Sequence, residues 1–494
     1  PEAWVLVTYS QPQHLTCISS IACPAMHPTE VTSYCWPHHA RIEGAGSCRR
    51  TTCSTATDNR QYVLTCRCVS AGGFWRPFGH YQGRLGALVT ISHRDTDTVF
   101  IDELRKTCES TNINFLLGAG CSMPEFGTLG NIETLWAQLK TSETKERIAN
   151  EHGDHANLIE NLIEASLKAS FFETAILPNR DYIKTNTKET KENYELFCRA
   201  AMKLVAKREA STLPKQVTFF VSNYDICMDV ALDMARIPTN SGYVGRFNPL
   251  VDLSDFGRRV TTSTLTLGYQ SEIASANLVK IHGCASWRKK GGGIEFSNEF
   301  DLIEEIERNI DNLCQTAQQA NPTQDPGLQG GLFPLNSKTF NELIEQATTH
   351  AHKFDSDSVN KLLDSFKKLQ IVWPTKQKFH DTVLDEIYYA QLRRLTNQLE
   401  VRNSVLIVAG FSFADEHIRK LILRAADTNP TLKVIILCYN EQSERDIKEN
   451  LLSECNTIPN DNVTTVTAMK PGTGHIQGNL DLNTVSTLLK MVSK

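Results

Sequence analysis

The chain has 494 residues, a net charge of −5 and a sequence pI near 6.3, so it lacks the basic footprint that nucleic-acid binding leaves. No apolar stretch approaches the ~20 residues that span a bilayer, and no charged-then-apolar signal sequence stands before the first polar residues. Among its 15 cysteines, Cys121, Cys227 and Cys438 fall inside strand-like or helical runs. That reads as buried or near-site thiols in a reducing compartment, and a cytoplasmic localisation is expected.

Residues 1–95 contain no Lys, eight Arg and seven of the cysteines. Ser, Thr, Pro and Gly interrupt every apolar run there. A zinc module would draw on His38, His39 and nearby cysteines, but no Cys-x2-Cys pair occurs and Cys66-Arg-Cys68 is too tight for a ligand knuckle. The segment reads as a leader of poor order or non-native origin, and the domain is expected to start at residue 96.

From there the pattern is α/β. A helix over 99–110 precedes a strand over 114–117. One helical stretch follows over 132–170, with Leu158, Leu162, Ile163 and Leu167 at helical spacing. A helix over 194–209 and a strand over 217–221 come next, then a strand over 278–281. An insertion, mostly helical, is expected over 283–400, with helices over 300–320, 337–352, 358–369 and 382–399 and a loop over 321–336. The chain closes with strand 405–408, helix 415–426, strand 433–437, helix 442–452 and strand 463–467. Such alternation predicts a Rossmann-like, doubly wound parallel sheet carrying a large helical insertion.

Four strand ends carry polar or glycine-rich residues, where ligands bind in such sheets. Gly118-Ala119-Gly120 follows a strand; its glycines would let backbone approach a pyrophosphate, and the next N–H groups and Ser122 could donate to phosphate or ribose. A plain strand-to-loop turn fits the same residues, because the full G-x-G-x-x-G spacing is missing. Asn223 and Asp225 could orient a water and hold ribose hydroxyls, or could form an Asx turn capping the next helix. His282 before Gly283 suits a general base near neutral pH, and also suits a satisfied structural histidine. Gly410 and Ser412 suit an adenosine ribose, while Asp415 reads as a cap for the following helix, with Glu416 favouring its positive end.

Together these segments resemble the sirtuin-like superfamily over roughly residues 96–470. Gly118-Ala-Gly-Cys-Ser122 is similar to its Gly-Ala-Gly-x-Ser phosphate loop, Asn223-Tyr-Asp225 to its Asn-x-Asp element and His282-Gly283 to its catalytic His-Gly. Gly410-Phe-Ser-Phe-Ala-Asp415 is closer to the bacterial sirtuin-like proteins of anti-phage defence. The resemblance implies an NAD+ hydrolase (NADase) that cleaves NAD to nicotinamide and ADP-ribose, with NAD as substrate and no metal. It makes His282 the general base, Asn223 the residue that positions water and ribose, and Asp225 the support of that pair. Gly118, Ala119, Gly120 and Ser122 would hold the dinucleotide.

The chain departs from the protein deacylases of that superfamily. Cys284, Cys314, Cys438 and Cys455 are not spaced as a zinc ribbon of two Cys-x2-Cys pairs, and Met123-Pro-Glu-Phe-Gly127 stands where deacylases carry Gly-Ile-Pro-Asp-Phe-Arg. Two alternatives stay open: a module that senses NAD or an ADP-ribose derivative without turnover, and an NAD-dependent deacylase. The resemblance also implies a homo-oligomer controlled by a HerA-type hexameric ATPase, in preference to a short Argonaute, without membrane or direct nucleic-acid contact.

Overall fold

A strand buried on both faces must be apolar along its whole length, and the runs of that composition form the centre of one sheet. In chain order its strands are β1 (Ser92–Asp95), β2 (Asn112–Leu117), β3 (Gln216–Val221), β4 (Thr239–Asn240), β5 (Ser275–Lys280), β6 (Ser404–Ala409), β7 (Lys433–Leu437) and β8 (Val463–Thr467). They lie side by side as β1-β8-β7-β6-β2-β3-β5-β4, every pair parallel. The computed structural model describes residues 91–494 except 129, 131, 186–188, 209–211, 246, 264–267, 292, 320–338, 374–385, 454–459 and 470–475, together with four short strands within residues 1–90.

Pleating sends alternate strand residues to opposite faces. From β2, Ile113, Phe115 and Leu117 enter one core, and Leu116 enters the other. The first core is covered by α1 (Thr98–Ser110), α6 (Glu189–Ala206) and α14 (Leu482–Val492), through residues such as Leu104, Phe197 and Leu488. The second is covered by α11 (Glu386–Glu400), α12 (Glu416–Thr428) and α13 (Glu441–Leu452), through Leu395, Ile422 and Ile447. The expected class is therefore the observed one: α/β, Rossmann-like, with a parallel sheet between two helical layers.

Strand order fixes where a ligand could enter. From β2 the chain lays β3 beside it, passes to the edge strand β4 and comes back to insert β5 between them, then returns to lay β6, β7 and β8 on the other side. The direction switches between β2 and β6, and the crevice beyond their carboxyl ends is the natural binding position of such a sheet.

The remaining helices add their apolar faces to the first core. The stretch expected as one helix over 132–170 is α2 (Ile132–Leu139), α3 (Ser142–His152) and α4 (Ala156–Phe171). Thr141 caps α3 by accepting from the Thr144 N–H, and Gly153 ends it at φ +52°, so local capping overrides a continuing apolar period. α5 (Pro178–Lys184), α7 (Cys227–Met234), α8 (Asp301–Gln319), α9 (Phe340–His350) and α10 (Ser356–Phe366) complete the helices. α4 packs on α9 and α10, and α8 on α10. The insertion is mostly helical, as expected, and begins with a hairpin, Trp287–Lys290 paired with Gly293–Phe296. That hairpin joins a small antiparallel sheet with Leu250–Val251 and Tyr243–Val244.

The chain divides into two compact units, Pro1–Arg84 and Leu85–Lys494. In the first, Ala3–Thr8 pairs with Gln61–Cys66 and Tyr34–Trp36 with His39–Arg41, both antiparallel. The expectation of a poorly ordered or non-native leader otherwise lies outside the described residues. The sheet begins slightly before residue 96, because β1 pairs with β8 over Ser92–Asp95. Among the described residues no helix is long and apolar enough to cross a membrane.

Candidate functional site

The two central strands end in loops that interlock backbone to backbone. Gly118 N–H donates to the Ala409 carbonyl at 3.0 Å, and Gly120 N–H donates to the Gly410 carbonyl at 3.0 Å. A Cβ on Gly118 would lie 2.4 Å from the Gly410 oxygen, and one on Gly410 would lie 2.5 Å from the Cys121 nitrogen. Gly410 also sits at φ +63°. Glycine is required here by the contact between the loops themselves. Ala119–Ser122 then closes a single 3-10 turn, with Cys121 N–H donating to the Gly118 carbonyl at 3.0 Å. The Cys121 N–H, one of those expected to meet phosphate, is thus already bonded within the protein.

A buried polar knot joins this turn to the end of β3. The Asn223 side-chain nitrogen donates to the Gly118 carbonyl at 3.1 Å and to Ser122 Oγ at 3.0 Å. Ser122 Oγ donates to Asp225 Oδ2 at 2.7 Å and lies 2.8 Å from the Tyr194 hydroxyl. With its one proton on Asp225, the serine accepts from both Asn223 and Tyr194, and its hydroxyl is saturated. Burial first, and the Asp225 charge second, hold the Tyr194 phenol well above its usual range, so it stays a donor. Asp225 Oδ1 accepts from the Cys227 N–H at 3.0 Å and opens α7. The Asx turn expected for Asp225 is therefore present. Asn223 keeps Oδ1 for a ligand: it can accept from a water or a ribose hydroxyl.

Lys280, at the end of β5, is buried and donates to the Asp225 carbonyl at 2.5 Å and to Asp229 Oδ2 at 2.7 Å. Burial opposes its charge, but the Asp229 carboxylate and the neighbouring Asp225 outweigh it and hold the ammonium above the usual lysine range. This ion pair pins the Asn223–Asp225 turn from beneath.

His282 follows Lys280 and Ile281. Its Nδ1 lies 3.1 Å from the Ser222 carbonyl, which can only accept, so Nδ1 carries a proton. The imidazole stacks on Tyr224 at 6.2 Å between ring centres, inclined by 28°. A strap from the insertion holds the same turn: Val372 N–H donates to the His282 carbonyl at 2.9 Å, and the Tyr224 hydroxyl donates to the Val372 carbonyl at 2.8 Å. Gly283, at φ +84°, would place a Cβ 2.4 Å from the Gln370 oxygen. His282 Nε2 lies 3.4 Å from Asp415 Oδ2. Asp415 is also the expected cap of α12, its Oδ1 accepting from the His417 and Ile418 N–H groups at 3.1 Å.

These pieces enclose a cavity of about 500 Å³, within the range that holds a small ligand. Ala119, Gly120, Ser122, Asn223, Asp225, His282, Gly410 and Ser412 all line it, while Gly118 is turned into the loop contact and does not. Ser412 Oγ accepts from the Ala414 N–H at 3.4 Å in a local turn. Sequence reasoning missed Tyr224, Glu133 on α2, and Tyr439, Ser443 and Asp446 after β7, which share the lining. Tyr439 directly follows a strand end, the one signal that could have found it. The nearby thiols are not nucleophiles: burial, then Asp225, pushes Cys121 up to about 12, and the same causes hold Cys227 well above the usual thiol range.

No family model matches the chain, and no curated protein matches it.

Proposed function

We propose that the chain is an NAD glycohydrolase that cleaves NAD to nicotinamide and ADP-ribose. The observation that carries this reading is the convergence of four distant segments on one cavity at the switch point of a parallel sheet, with Asn223 and His282 side by side. Nicotinamide leaves with the electron pair of the bond to ribose, positive charge builds on the sugar, and a water adds at the same carbon. The task calls for a rigid sugar site and one oriented water. Asn223 Oδ1 supplies an acceptor for that water or a ribose hydroxyl, and His282 Nε2 takes the proton. The loops ending β2 and β6 flank the dinucleotide.

On this reading the protein acts in the cytoplasm as a homo-oligomer, depletes NAD in anti-phage defence and is controlled by a HerA-type ATPase, with a short Argonaute the less favoured partner. These terms rest on the sequence resemblance. A second reading, a sensing module without turnover, draws on the saturated Ser122 and on the Asn223 side-chain nitrogen, both of whose protons are held within the protein, which suit a preformed receptor. The test is incubation with NAD, alone and with the ATPase, following nicotinamide and ADP-ribose. Release lost in His282→Ala supports hydrolysis; binding by calorimetry without release favours sensing.

A further inference from the structure

We infer that Asp415 is a positioning residue for His282, fixing its ring and favouring its second proton through Nε2. The inference rests on the NAD-cleaving reading for its catalytic consequence, and on geometry alone for its structural part. Both ring nitrogens face acceptors: Nδ1 the Ser222 carbonyl at 3.1 Å, Nε2 the Asp415 carboxylate at 3.4 Å. A neutral ring satisfies one of them, whereas an imidazolium satisfies both. The two side chains are 9% and 8% exposed, so water screens the contact little.

Asp415 cannot swing away without cost. Its other oxygen holds the first turn of α12 through two N–H groups. The loop before it is also held, by Arg419 Nη1 donating to the Phe413 carbonyl at 2.6 Å. One carboxylate therefore joins the start of a helix beyond β6 to the imidazole at the end of β5. The other groups around the imidazole include, among the described residues, Tyr224 on its face, the Ser222 carbonyl at Nδ1 and the Val372 strap at its backbone. Asp225, Glu133, Tyr439 and Asp446 line the same cavity. Of these, Asp415 carries the charge at Nε2. When His282 takes a proton during water attack, Asp415 stabilises the imidazolium that forms.

The test uses Asp415→Asn and Asp415→Ser in the full chain. Asn and Ser cap helices about as well as Asp, so both variants keep the fold and remove the charge. The readout is an NMR titration of the His282 ring, its signal assigned by its loss in His282→Gln. The expected result is titration at lower pH in both variants, with a thermal midpoint unchanged at alkaline pH, where the ring is neutral in all of them. An unchanged titration in both would overturn the proposal and leave Asp415 a helix cap. In NAD cleavage, kcat/KM should fall on the order of 10- to 100-fold and the acid limb of its pH profile should move to lower pH. A wild-type chain that releases no nicotinamide refutes the catalytic reading, while the ring titration still decides the role of Asp415.

Discussion

The side-chain amide of Asn223 reaches from the end of β3 to the Gly118 carbonyl at the end of β2, 3.1 Å away. One amide therefore sets the spacing between two walls of the cavity, and its second proton fixes Ser122. Asn223→Asp removes both donors and leaves a buried carboxylate against a carbonyl. A loss of about 1–3 kcal/mol in stability is expected from the unpaired groups, read by urea unfolding. Nicotinamide release should fall by ~10²-fold or more, the scale of a lost orienting or proton-transfer group. Asn223→Ala should match it in activity.

The interlocked glycines give a second expectation. Gly410→Ala places a Cβ 2.5 Å from the Cys121 nitrogen at φ +63°, and a destabilisation on the order of 1–3 kcal/mol follows from backbone strain. Gly257→Ala, where a Cβ meets nothing within 4 Å, should be within about 0.5 kcal/mol of the parent. Thermal unfolding of the two variants side by side checks the contrast.

Buried Lys280 pairs with the half-buried Asp229 at 2.7 Å. Breaking it by Asp229→Asn strands the ammonium, and a cost of about 3–5 kcal/mol is expected. Lys280→Met should also lower NAD cleavage, because the ammonium holds the Asp225 carbonyl. Unfolding and activity assays on both variants test this.

Alkaline pH should weaken the fold through Cys121. Burial raises its thiol from 9.0 to about 12, so the folded state keeps a proton that the unfolded state releases. The stabilisation is full below pH 9 and is lost as pH rises towards 12, by about 1.4 kcal/mol per pH unit for one such thiol. Thermal midpoints between pH 8.5 and 10.5 should fall, and less steeply in Cys121→Ala.

The sheet was legible because strands buried on both faces have no polar alternation to confuse with a helix: β2, β3, β5 and β6 read as short apolar runs ending in glycine or small polar residues. Helix ends were legible where a cap was explicit, as at Asp415. The breaks at Thr141 and Gly153 passed unnoticed because the apolar period continues through them, and α14 because nothing marked it off after β8. Candidate site residues were found by strand position, which is local information. Their bonds were not: the Ser122–Asp225, Tyr224–Val372 and His282–Asp415 contacts join residues far apart in the chain, and no spacing rule encodes them. The close approach of Gly118 and Gly120 to Gly410 is another such contact between distant segments.

The central claim turns on one comparison: nicotinamide release from NAD by the purified chain, with the candidate ATPase present, against His282→Ala under identical conditions. The account predicts release by the parent and loss of roughly 10²-fold or more in the variant, with both proteins folded by circular dichroism at the assay temperature. Equal release by the two would contradict it.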